Sequence, residues 1–201
     1  MRNAALILLV ASALTLGCSP RGRTQSQNVS QENSREKKQE ARAVPEPAEV
    51  IKKLRGMFLD TKPEKIGVKR SGSGPQAYGV MMEMGFPEAL ASLISLSTGD
   101  ASLYLGHGGG IIGGGAHPRV SQAARAFVAE SGKHLSKMTA TKEFPYPAVG
   151  RVRFYVLTLD GVFTAEAGEE ELADKKHELS PLFYAGNDVL TQLRLTQEKR
   201  Q

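Results

Sequence analysis

One ten-residue run holds most of the chemistry that the folded part of this sequence could offer: Gly106-His107-Gly108-Gly109-Gly110-Ile111-Ile112-Gly113-Gly114-Gly115, with His117-Pro118 just beyond it. A glycine-rich turn that runs into a helix N-terminus can hold an anion, because bare backbone N–H groups and the helix dipole point outward together. Gly108, Gly109, Gly110, Gly113, Gly114 and Gly115, with His107 and His117, are therefore the candidate ligand-binding residues. The same sequence limits that chemistry. No Gly-Lys-Ser/Thr occurs, so the segment is no P-loop, and the spacing lacks a dinucleotide fingerprint with a following acidic residue. Pro118 removes one N–H from such a nest. The competing use of the glycines is architectural: tight turns around a short Ile111-Ile112 strand, taken at positive φ or at close backbone approach. His107 and His117 bracket the run, but two imidazoles make half a metal site and need a carboxylate beside them. Glu83, Asp100 and Glu130 cannot be placed relative to them from the sequence. No metal and no cofactor are expected.

Nucleophilic chemistry has little support. Cys18 is the only cysteine, which rules out an intramolecular disulfide and a cysteine-type zinc site. No Gly-x-Ser-x-Gly elbow occurs, and no catalytic residue is assigned. Glu169-Glu170-Glu171 and Asp174 precede Lys175-Lys176 and read as a self-compensating solvated loop or helix turn. Met81, Met82 and Met84 read as strand packing, and His134 and His177 as surface residues.

The elements that must position these residues follow from apolar periodicity. Pro47 to Asp60 predicts a helix, with Val50, Ile51, Leu54, Met57 and Phe58 on one face. Ser71 to Pro75 is a flexible stretch that sets this helix apart as an arm, residues 44–70, from the domain at 76–201. Strands are expected at Tyr78–Met84, Ala89–Leu96 and Ala101–Leu105, broken by Phe86-Pro87 and turned by Ser97-Thr98-Gly99-Asp100. His117–Met138 predicts a helix, and Glu143–Pro147 an extended loop. Asp160-Gly161 joins Arg151–Leu159 to Val162–Ala167 as a hairpin. A last helix starts at Ser180-Pro181, with Gly186-Asn187 as an expected interruption. Strands grouped in hairpins rather than alternating with helices indicate an α+β domain, an antiparallel sheet with two to three packed helices. The strand-pair, helix, strand-pair, helix order resembles the layout of roadblock and profilin-like domains, and Tyr78 to Leu195 also resembles bacterial proteins that carry no assigned activity. Neither resemblance implies a function.

Charge separates the chain into parts. Residues 18–43 carry six Lys/Arg against three Glu, whereas residues 44–201 carry 19 basic against 18 acidic side chains. The basic excess therefore sits in the tail rather than in a stripe on the folded part, and nucleic acid is not an expected partner. Residues 19–43 have Val29 as their one large apolar side chain, which is too little buried surface to offset chain entropy, so a disordered tether is expected. Ahead of it, Arg2 precedes an apolar or small-residue run from Ala4 to Leu16, closed by Gly17-Cys18. Thirteen helical residues reach about 20 Å, short of the roughly 30 Å hydrocarbon core, which fits a secretory signal over residues 1–17 better than a spanning helix.

Leu14-Thr15-Leu16-Gly17-Cys18 resembles the lipobox of bacterial lipoproteins, with Thr15 and Leu16 off the commonest pattern and Gly17 and Cys18 on it. The resemblance implies that the chain is cut before Cys18 and that Cys18 carries lipid. It also implies a location at the envelope: the periplasmic face of the outer membrane in a two-membrane bacterium, otherwise the cell surface. The expected function is a non-enzymatic, membrane-anchored binding domain for an envelope protein or a small anionic ligand. The alternative expectation is a hydrolase acting on an anionic substrate held at residues 106–117.

Overall fold

A computed structural model describes residues 44–72 and 74–198. The expected signal segment, the expected tether and Cys18 lie outside the described residues. Among the described residues no helix is long and apolar enough to cross a membrane.

The domain is α+β, as the hairpin grouping implies. Helix α1 spans Glu49–Leu59. Strands β1 (Ala77–Gly85), β2 (Leu90–Leu96), β3 (Ala101–Leu105) and the short β4 (Gly110–Ile111) follow as a meander. Helix α2 (Pro118–Lys133) leads to β5 (Thr139–Thr141), and β6 (Arg151–Thr158) and β7 (Gly161–Gly168) form the second hairpin. Helices α3 (Glu169–Ala173) and α4 (Ser180–Glu198) complete the fold. The seven strands make one antiparallel sheet in the order β4-β3-β2-β1-β6-β7-β5. The central partnership of β1 with β6 is thus made between the two halves of the chain.

Side chains on successive strand residues point to opposite faces, so each strand serves two layers. One face carries Val80, Met82, Leu93, Phe154 and Val156, packed against Val120, Phe127 and Val128 of α2 and Leu182, Val189 and Leu193 of α4. The other carries Met81, Ile94, Tyr155 and Leu157, packed against Ile51 and Phe58 of α1. Covering both faces explains why β1 is buried almost end to end, where a half-solvated strand would alternate. It also places all three methionines, Met81, Met82 and Met84, in the interior.

The structure redraws two details. The helix expected to run to Met138 ends at Lys133, and a 3-10 turn, Leu135–Lys137, tightens its exit. Ser131 Oγ donates to Val128 O at 2.7 Å there, and a hydroxyl that bonds back to its own helix competes with the helical pattern. Helix α4 runs unbroken through Gly186-Asn187. Gly186 is there for contact, since a Cβ would meet Met82 Cε at 2.8 Å, and Asn187 Nδ2 donates back to Phe183 O at 3.0 Å. The helix of the 44–70 arm is docked: Ala48 N–H donates to Gly106 O at 2.8 Å, and α1 lies on the sheet.

Candidate functional site

The glycine-rich run is spent on a turn and on packing. Gly108 N–H donates to Leu105 O at 2.9 Å and Leu105 N–H to Gly109 O at 3.2 Å, closing a tight hairpin between β3 and β4. Gly108, Gly109 and Gly110 take φ of 103°, 90° and 143°, a region that disfavours any residue with a Cβ. A Cβ on Gly110 would fall on the main-chain oxygen of Leu103, its neighbour's partner across the ladder. Gly113 turns the chain at φ 75° with open space around it. Gly114 is wedged beneath α4, where a Cβ would sit 2.5 Å from Leu193 Cδ2 and 2.8 Å from Val120 Cγ1, and Gly115 abuts Asp100. Gly106 joins three strands of chain: its N–H donates to Leu90 O at 2.6 Å while its carbonyl receives Ala48 N–H.

His107 is exposed on the hairpin turn, and His117 is half-buried directly ahead of α2. Among the described residues no group of three or more His, Cys, Asp and Glu side chains gathers as a cation site. Asp100, which the sequence could not place, packs against Gly115. Glu130 pairs with Lys133 at 2.6 Å and faces His134 Nε2 at 3.1 Å, on the exit turn of α2. Lys133, and then His134, hold its carboxyl below the usual carboxylate range against the opposing effect of partial burial.

The third carboxylate, Glu83, is the one the sequence undervalued. It is fully buried in the middle of β1 and accepts two parallel hydrogen bonds from Arg55 of α1, Nε to Oε1 and Nη2 to Oε2, both 2.8 Å. Ser92 Oγ, directly opposite in the ladder, donates a third at 2.9 Å. Arg55 Nη2 also donates to Phe144 O at 2.9 Å, and its guanidinium lies 4.5 Å from the centre of the Tyr146 ring and 5.4 Å from that of Tyr155. Burial alone would push the Arg55 guanidinium down, but the hydrogen bonds and charge of Glu83 outweigh it and raise it. Tyr155 is pinned in turn, its hydroxyl donating to Pro145 O at 2.6 Å and its ring meeting Phe144 edge-on at 5.6 Å. Burial raises the phenols of Tyr146 and Tyr155 above the ordinary value. Both Glu83 oxygens, Arg55 Nε and Nη2, Ser92 Oγ and the Tyr155 hydroxyl are engaged by protein groups, so the assembly is a lock that fixes α1 and the 144–147 loop to the sheet.

The ladder continues this row of polar side chains outward. Arg153, in register with Glu83 on β6, places Nη2 2.5 Å from Glu166 Oε2 on β7, an ion pair whose angle is not that of a hydrogen bond. Arg151 Nε donates to Glu166 Oε1 at 3.2 Å from the other side. The signal for the lock was present as a lone Glu in the apolar run Tyr78–Gly85 and a lone Arg between Ile51 and Phe58 on a helix face.

The charge run at 169–176 contains a short helix, α3, with Asp174 and Lys176 paired at 2.7 Å. Burial pushes the Glu169 carboxyl up, and neighbouring Glu170 adds to it. A raised carboxyl costs stability above the folded pKa and nothing below the unfolded one. Glu169→Gln should therefore stabilise the domain at neutral pH and leave it unchanged near pH 3, a difference read from urea midpoints at the two pH values.

Comparison with family models, curated proteins and solved structures gives no match for this chain.

Proposed function

We propose that the chain is a lipid-anchored, non-enzymatic binding domain of a bacterial envelope. The observation that carries this reading is Cys18: the sole cysteine of the chain, directly behind a small residue and an apolar stretch of signal length. Two or three acyl chains there make membrane release negligible, since each buried methylene is worth about 0.8 kcal/mol. At the near end of the folded part, Val44 lies against Gly85 and Ala48 is tied to Gly106, and α1 is then held by the Arg55–Glu83 lock. A membrane-bound tether of this chain therefore ends on a fixed face of the domain. The binding reading is favoured over hydrolysis at residues 106–117 by how the glycines are used: Gly110, Gly114 and Gly115 press on main chain or side chains instead of opening toward a ligand. The envelope address stands with the anchor, as the periplasmic face of an outer membrane or the cell surface.

Labelling of cells with radioactive palmitate tests the anchor. The wild-type chain should take up label and partition with membranes, and Cys18→Ala should lose both; label retained by Cys18→Ala would overturn the reading.

A further inference from the structure

The chain between α3 and α4 borders an open hollow of about 460 Å³, lined by Lys175, His177, Glu178, Ser180, Pro181 and Tyr184. We propose that this hollow binds a small organic anion, an oxyanion head on an apolar body. The proposal rests on the binding-domain reading and gives it a site.

Ser180 is the first indication. It is 3% exposed, it forms part of the wall, and its Oγ has no hydrogen-bond partner. A buried hydroxyl left unpaired costs about 1–3 kcal/mol, which an acceptor on a ligand would recover. Ser180 also opens α4, a helix of 19 residues, so the positive end of a long dipole lies at the same place. Pro181 takes one N–H away from that end, which shifts the demand for donors onto side chains.

His177 supplies one. Leu179 N–H donates to its Nδ1 at 3.1 Å, which makes Nδ1 the acceptor and leaves the ring proton on Nε2, free to donate. Lys175 supplies the charge. Helix α3 ends with Lys176 N–H on Glu171 O at 2.9 Å and Lys175 N–H on Leu172 O at 3.2 Å, a pair of bonds that calls for a left-handed residue, usually glycine. Here it is Lys175 at φ 59°, the one positive-φ residue other than glycine among the described residues. Its ammonium lies 5.4 Å from the centre of the Tyr184 ring. The acid in the wall, Glu178, is turned to Lys137 Nζ at 2.8 Å, so its charge is already met. Apolar surface comes from Pro181 and from the Tyr184 ring, which is fixed by a hydrogen bond from its hydroxyl to Ala173 O at 2.5 Å.

Titration calorimetry on the full, detergent-solubilised chain tests this with benzoate and phenyl phosphate as probes and benzyl alcohol as the neutral control. At least one anion should bind at least about tenfold more tightly than the alcohol, and the stronger of the two assigns the head. Lys175→Gly should weaken that probe about tenfold while keeping or raising the melting temperature, because glycine suits the left-handed position. Ser180→Ala should also weaken it. Failure of both anions to bind at about 10 mM would overturn the site, as would equal binding of the alcohol or an unaltered affinity in Lys175→Gly. Phenol released from bound phenyl phosphate would support the site and overturn the non-enzymatic reading instead.

Discussion

Arg55→Met should lower the unfolding free energy by about 3–5 kcal/mol, because it leaves the Glu83 carboxylate buried without its counter-charge. The expected size follows from an asymmetry between making and breaking such a pair. Bringing Arg55 and Glu83 together out of water gains little net free energy, since desolvation offsets their attraction. Removing one partner keeps the desolvation of the other and discards the attraction. Ser92 Oγ still donates to Glu83, but one neutral hydroxyl at 2.9 Å does not replace two charged hydrogen bonds at 2.8 Å. The same argument predicts the double variant. Arg55→Met with Glu83→Met should recover most of the loss, though not all, because Ser92 Oγ and Phe144 O lose their partners. Urea denaturation of the wild type, Arg55→Met, Glu83→Met and the double variant forms a mutant cycle that reads this coupling directly. A double variant no more stable than the single one would show that the lock contributes through packing alone.

Gly110→Ala should cost about 2–5 kcal/mol, through two effects that act together. The new Cβ would fall on the Leu103 carbonyl oxygen, a main-chain atom held by the sheet that cannot swing aside. The residue must also adopt φ 143°, which L side chains rarely take. Gly113→Asn makes the contrast, in open space at φ 75° and ψ 32°, where asparagine is the best tolerated substitute. It should cost less than about 1 kcal/mol. Melting temperatures of the two variants therefore separate a glycine kept for contact from one kept for a turn. Equal losses at both positions would argue against the packing role assigned to Gly110.

Strands, hairpins and the antiparallel sheet were readable because their signals are local. Asp160-Gly161 between two apolar runs, and Ser97-Thr98-Gly99-Asp100 between two others, fix the turns from adjacent residues. Strand β5 was not legible, since Thr139-Ala140-Thr141 has neither the length nor the apolar alternation of a strand and is recruited by β7. The end of α2 is not legible in the sequence because Leu135 and Met138 continue the apolar spacing through a 3-10 turn, where the periodicity of the buried face persists after the helix stops.

The sites were less legible than the fold, for a reason of register. Glu83 meets Arg55 across 28 residues and Arg153 across the β1–β6 partnership, and neither pairing follows from spacing along the chain. The glycine-rich run is conspicuous in composition, yet composition does not say whether a glycine faces a ligand or a carbonyl oxygen. The hollow beside α4 shows the reverse case. Lys175, His177 and Ser180 look ordinary in sequence, and their interest comes from a left-handed φ, a ring nitrogen already occupied and a hydroxyl with no partner.

The central claim, that this domain works at the end of a lipid anchor, is tested most directly by the intact mass of the protein extracted from its native membrane. A mature chain beginning at Cys18, with the added mass of a diacylglycerol and an amide-linked acyl group, is the predicted result. A chain that retains Met1, or one cut near residue 18 without lipid, would contradict it.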